Sequence, residues 1–316
     1  MAKKNQVEDR KPLIRDAMLY YYLEFESDVI SGDEIKRLLH YADLDKVPDR
    51  VILLNDIYQE NMDWNQLSNN KIARLISMFI DRGDVDFILN QVQLKERNFK
   101  IREIYWSLYR KPELSDAFGL DLDKLSKQDA YKLLEMGHQY FADRINISKY
   151  RFNTTEIYNI VKSFQFNRSV MEQLKTELLE GYHISEVLIA TGEDNIDLIN
   201  LGKMNSSHWV KTLEKRKTLF NLCDLNIFLK DDVYHSIGVL SIYPDIQILH
   251  DYVKLNYKSI GDKGWEILLT QFPEYVKLCD VNTLYAGTWN KILKNQPELV
   301  NLRGFAKTKV EEPQED

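Results

Sequence analysis

Trp265-Glu266-Ile267-Leu268-Leu269-Thr270-Gln271-Phe272-Pro273-Glu274-Tyr275 is followed, 24 residues on, by Trp289-Asn290-Lys291-Ile292-Leu293-Lys294-Asn295-Gln296-Pro297-Glu298-Leu299. Each stretch sets a tryptophan, apolar residues three and four places later, and a proline at the eighth place. Spacings of 0, 3 and 4 put side chains on one stripe of an α-helix. Proline removes a backbone donor, so it ends that helix and suits the first turn of the next. The glutamate after it complements the positive end of the new helix. The stretch therefore predicts a pair of short helices.

The same template recurs upstream. Trp209 with Leu213 lies 14 residues before Cys223-Asp224-Leu225-Asn226, and Trp265 with Leu269 lies 14 before Cys279-Asp280-Val281-Asn282. Weaker copies have anchors at Ile72, Ile104, Ala130, Ile157, Ile184 and Ser236, and Ile35 with Leu38 and Leu39 is a more distant tenth. From Ile72 to Trp289 the anchors are 32, 26, 27, 27, 25, 27, 29 and 24 residues apart, a period near 27. Ser126 with Asp129, Asn153 with Glu156 and Ser31 with Glu34 have the spacing of helix N-terminal capping pairs. A unit this small cannot bury its own apolar stripe and is stable only when stacked. The expected fold is all-α, an α-solenoid of about nine two-helix repeats. Residues 1–12 are expected to be disordered, 13–60 to form a helical cap, 61–305 the repeat array, and 306–316 an acidic disordered tail. Polar stretches 230–232, 259–262 and 285–288 read as links between units.

Composition agrees. Twelve Gly and seven Pro in 316 residues are few for a turn-rich β or α/β fold. The formal charge of −7 argues against general adhesion to nucleic acid. No apolar run approaches the roughly 20 residues a transmembrane helix needs, and the polar first residues do not read as a signal peptide. A cytoplasmic or virion location is the expectation, with no membrane partner.

The pattern Trp-x-x-Ile/Leu-Leu with Pro-Glu-aromatic/Leu and then Cys-Asp resembles short Trp/Pro/Cys helical repeats of uncharacterised bacterial and bacteriophage proteins, clearest over residues 206–305. The resemblance implies an architecture and a microbial or phage origin, and carries no activity.

The chemical motifs are sparse. The two cysteines occupy one slot two units apart, about 20 Å in a stack and beyond disulfide reach. The six histidines have no metal-ligand spacing. No phosphate-cradling glycine loop or nucleophile elbow is present. The sequence names no catalytic residue, and neither a cofactor nor a metal is expected. The leading expectation is a non-catalytic scaffold for a protein partner, as a structural or host-interaction component of a phage. Trp209, Trp265 and Trp289 read as packing positions, whereas Trp64 and Trp106 fall outside that register and are candidates for partner contact. Tyr20, Tyr21 and Tyr22, in a bulky helical segment, are further candidates for a docking helix. The alternative is nucleic-acid contact through a basic strip of Lys211, Lys215, Arg216 and Lys217. A third reading is an enzyme whose site is assembled from residues distant in sequence.

Overall fold

The computed structural model describes residues 43–54, 59, 60 and 62–302. The Tyr20–Tyr22 segment, the Ile35 copy, the Ser31/Glu34 pair and the acidic tail lie outside them. Among the described residues all regular structure is helical, with no strand. The chain forms two compact units that divide after Phe152. The first contains α1 (Asp49–Leu54), α2 (Asn69–Arg82), α3 (Val85–Gln91), α4 (Ile101–Arg110), α5 (Leu114–Ala117), α6 (Lys127–Glu135) and α7 (Gln139–Arg144). The second contains α8 (Thr154–Ser163), α9 (Arg168–Glu172), α10 (Gly181–Thr191), α11 (Ser206–Lys215), α12 (Val233–Ile242), α13 (Gln247–Leu255), α14 (Asp262–Gln271) and α15 (Ala286–Asn295).

All nine anchors from Ile72 to Trp289 are the fourth residue of an α-helix, in α2, α4, α6, α8, α10, α11, α12, α14 and α15. Every one is buried, whether tryptophan, isoleucine, alanine or serine. The slot accepts Ser236 because its hydroxyl donates to the Phe228 carbonyl at 3.0 Å. The residues three and four places after each anchor are buried too, apart from Leu293 in α15, which is half-buried. Where the first of them is polar it is paired. Ser107 donates to the Ala73 carbonyl at 3.3 Å, and Thr212 donates to the His208 carbonyl and meets Ser185 at 2.8 Å. Each fully buried aliphatic side chain contributes roughly 1.5–3 kcal/mol, so this stripe is the main source of cohesion.

Capping sets where these helices begin. Ser126 accepts from the Asp129 amide at 3.1 Å. Asn153 accepts from the Glu156 amide at 2.9 Å while Glu156 accepts from the Asn153 amide at 2.7 Å, a reciprocal box. The link expected over 285–288 is shorter, because α15 starts at Ala286 to keep Trp289 at its fourth place.

Within the first unit α1 packs on α2 and α2 on α4; within the second, α10, α11, α12, α14 and α15 pack each on the next. Side chains at the helix ends reinforce several of these steps by reaching back to carbonyls of the preceding helix, most of them in its unpaired last turn. Arg82 donates to Leu53 O, and Arg110 to Ser77 O at 3.0 Å. Arg216 donates to Ile189 O and Ala190 O at 2.5 and 2.7 Å, and Gln296 to Thr270 O at 2.7 Å.

The two-helix description needs one amendment. The second segment is a short α-helix in α3, α5, α7, α9 and α13, but a 3-10 helix at Lys217–Leu222, Pro273–Leu278 and Pro297–Leu302, and only a single 3-10 turn, Ile196–Leu198, after α10. Pro273 and Pro297 open their segments as predicted, whereas Pro112 and Pro244 lie in turns ahead of α5 and α13. Six residues between two loops favour i→i+3 bonding over a full α-helix. A further single 3-10 turn closes most repeats, as at Leu122–Lys124, Leu201–Lys203 and Leu225–Ile227. The Cys-Asp motif belongs to this turn: Asp224 accepts from the Asn226 amide at 3.0 Å, and Asp280 accepts from the Asn282 amide at 3.2 Å.

Candidate binding site

Helix α4 reads Ile-Arg-Glu-Ile-Tyr-Trp-Ser-Leu-Tyr-Arg. Its first, fourth, seventh and eighth residues are buried, with Ser107 bonded to α2. That leaves Tyr105, Trp106 and Tyr109 on the other side. Trp106 is 63% exposed and Tyr109 46%, the largest aromatic surface grouped on a single helix of the described residues. Tyr105 and Tyr109 lie nearly parallel, 11° apart with centroids at 6.4 Å. Trp106 stands across both, at 89° and 5.4 Å from Tyr105 and at 81° and 5.9 Å from Tyr109. His138 extends the group, its ring edge-on to Tyr109 at 5.7 Å and its Nε2 donating to the Tyr109 carbonyl at 2.5 Å.

The platform is fixed at both ends. Glu103 accepts from the Lys100 amide at 2.9 Å at the start of α4, and Arg110 holds Asp81 at 2.5 Å at its end. Burial pushes the Tyr105 phenol above its ordinary pKa, with Glu135 and Tyr109 adding to the effect, so it stays a neutral donor at physiological pH. Rigid aromatic rings lose little conformational freedom on binding, and tryptophan, tyrosine and arginine are the residues enriched where partners anchor.

Among the sequence candidates only Trp106 sits in this site. Trp64 is 3% exposed, which removes it as a surface contact. Its Nε1 donates to the Gln59 carbonyl at 2.9 Å, and its ring meets Phe79 and Phe87 edge-on. It follows Asp63 as Leu122 follows Asp121 and Leu225 follows Asp224, the apolar place of the closing 3-10 turn. It therefore has a register of its own, which the anchor pattern does not reveal. Two members of the basic strip have partners within the chain. Lys211 pairs with Glu186 at 3.7 Å, Arg216 caps α10, and Lys215 and Lys217 are exposed. Cys223 and Cys279 are half-buried, and burial, with the adjacent Asp224 and Asp280 adding, pushes both thiols up to about 12. At neutral pH neither is a reactive thiolate.

One Ser/His/Asp group exists that the sequence reading did not find. Ser206 Oγ donates to Asp231 and lies 2.8 Å from His235 Nδ1, and the same nitrogen is 3.5 Å from Asp231 Oδ2. A catalytic relay uses the two ring nitrogens for two partners, whereas here one nitrogen faces both. Ser206 is also fully buried. The trio is a clasp between the starts of α11 and α12. Asp232, Tyr234, Ile260, Gly261 and Lys263 line an open cleft of about 300 Å³ between the starts of α12 and α14. No three His, Cys, Asp or Glu side chains among the described residues gather as a metal ion would require, and no helix among them is long and apolar enough to cross a membrane.

Tyr105, Tyr109 and His138 were missed by sequence reasoning. A usable signal existed, since places five, six and nine of α4 are aromatic while its buried stripe is already complete. No family model, curated protein or solved structure matches the chain, so its function is read from this geometry.

Proposed function

We propose that the chain is a non-catalytic repeat scaffold, an α-solenoid of about nine units, that holds a protein partner on the aromatic platform of α4. The observation that carries this reading is Trp106, a 63% exposed tryptophan braced by two tyrosines on a helix whose packing stripe is complete without it. Exposed aromatic surface of this kind is unfavourable in water unless something covers it. Arg102, four residues before Trp106, is exposed on the same helix and adds a cationic edge. Recurrent stacking supports the scaffold part of the proposal, because nearest-neighbour helix contacts and carbonyl ties repeat within each unit.

The test compares the wild-type chain with Trp106→Ala/Tyr109→Ala in affinity capture from the native host, with bound proteins identified by mass spectrometry. A protein retained by the wild type and lost from the variant, while both show the same thermal melt, is the expected result. Equal retention by the two, or none by either, overturns it.

A further inference from the structure

The first turns of α8, α10 and α11 share one capping design, in which the side chain of the third helical residue accepts the amide of the capping residue, and they differ in the acceptor. In α8 the third helical residue is Glu156, whose carboxylate accepts the Asn153 amide. In α10 and α11 the same place holds an imidazole. His183 Nδ1 accepts the Glu180 amide at 3.2 Å, and His208 Nδ1 accepts the Asn205 amide at 3.2 Å. The next helix continues the series with His235, clasped to Ser206.

We propose that His208 makes the junction of α10 and α11 an acid-opened joint, with His183 an acid-labile tie at the start of α10: protonating either ring turns Nδ1 from acceptor to donor and abolishes its bond to the capping amide, and displacing the His208 ring loosens α10 from α11. A neutral imidazole can accept at Nδ1 only while that nitrogen carries no proton, whereas a carboxylate accepts at any pH above its own titration near pH 4.

The surroundings of the two rings favour the neutral state. His183 is 2% exposed, with its ring 4.4 Å from Tyr158 and 3.7 Å from Tyr182. Burial lowers its pKa and outweighs Glu180 and Glu186, which pull the other way. Lys162, on α8, faces Glu186 and Tyr158 rather than the ring. For His208 burial again lowers the pKa, and Lys211 lowers it further. Its ring lies against the first residue of α10, so close that a Cβ on Gly181 would come within 2.5 Å of Nδ1. The Lys203 carbonyl borders the same spot. A displaced His208 ring therefore acts on both helices at once.

The direction follows from linkage. Both folded-state pKa values lie below the unfolded value of about 6.5, so the unfolded chain binds protons first as pH falls. Stability from these caps is complete above about pH 6.5 and declines below it.

Hydrogen exchange read by mass spectrometry at pH 7.5 and 5.5, each normalised to intrinsic exchange rates, tests the joint in the intact chain. Protection in peptides covering 180–190 and 205–215 is expected to fall about tenfold at pH 5.5, the size of one lost cap, while peptides covering 154–163 keep theirs. His183→Gln/His208→Gln, which retains an acceptor that does not titrate, is expected to remove the difference. Should the double variant fail to fold, His208→Gln alone is expected to remove most of the change at 205–215. Equal loss in all three segments, no loss in any, or a pH effect that persists in the glutamine variants overturns the proposal.

Discussion

Helices α4 and α11 are both ten residues long, and each contains one tryptophan. In α11 it is the fourth residue, Trp209, 1% exposed; in α4 it is the sixth, Trp106, 63% exposed. Two places along a helix amount to about 200° around its axis, so one side chain becomes core and the other becomes surface. The place in the repeat, and not the residue type, decides the role. Isoleucine, alanine and serine can stand where Trp209 stands, because that place requires burial and satisfied polar atoms. Nothing of the packing depends on an aromatic residue where Trp106 stands.

The largest effect is expected at the buried end of this comparison. Trp209→Ala should destabilise the chain by about 3–5 kcal/mol in chemical denaturation, as emptying a large core site does. Trp209→Phe should cost much less, since the buried Nε1 has no hydrogen-bond partner and phenylalanine removes that orphan donor. A mild Trp209→Ala would break the equation of fourth place with core. Next comes the contact where α11 meets α10. Gly181→Ala should cost about 1–3 kcal/mol, because its Cβ would lie 2.4 Å from the Lys203 carbonyl. Gly287→Ala, with open space around it in the first turn of α15, should be neutral or stabilising by up to about 1 kcal/mol. Thermal melts of the two variants, read side by side, separate close packing from helix propensity. Removing one cap, by Asn153→Ala, should cost about 1 kcal/mol in the same measurement. Smallest of all, Trp106→Ala should change stability by no more than about 0.5 kcal/mol. A larger loss would make Trp106 a packing residue and remove the basis for assigning it to a partner.

Much of the fold is legible in the sequence because it is periodic. The spacing from Ile72 to Trp289 reappears as the spacing of nine helix starts, each three residues before its anchor. Capping at Ser126 and Asn153 is equally local and equally readable. Less legible is what depends on a neighbouring repeat or on very short segments. The 3-10 closing turn lacks a long apolar pattern, so Trp64, which it buries, stands out of the anchor register in the sequence and is offered there as a candidate contact. Arg216 reads as one more cation in a basic run, since its carbonyl partners lie one repeat earlier. The platform around Trp106 is half readable: Tyr105, Trp106 and Tyr109 lie on one helix outside its buried stripe, but the contribution of His138 depends on how the segment before α7 meets α4.

The side chains that reach back to carbonyls of the preceding helix span only 26 to 33 residues of chain. Such wiring joins a module to its predecessor and to nothing more remote. Contact order is correspondingly low, which favours rapid folding from local nuclei. In the solenoid proposed above it would also make length adjustable in evolution: duplicating or excising one whole module inside either unit would leave each remaining helix with an adjoining helix to grip.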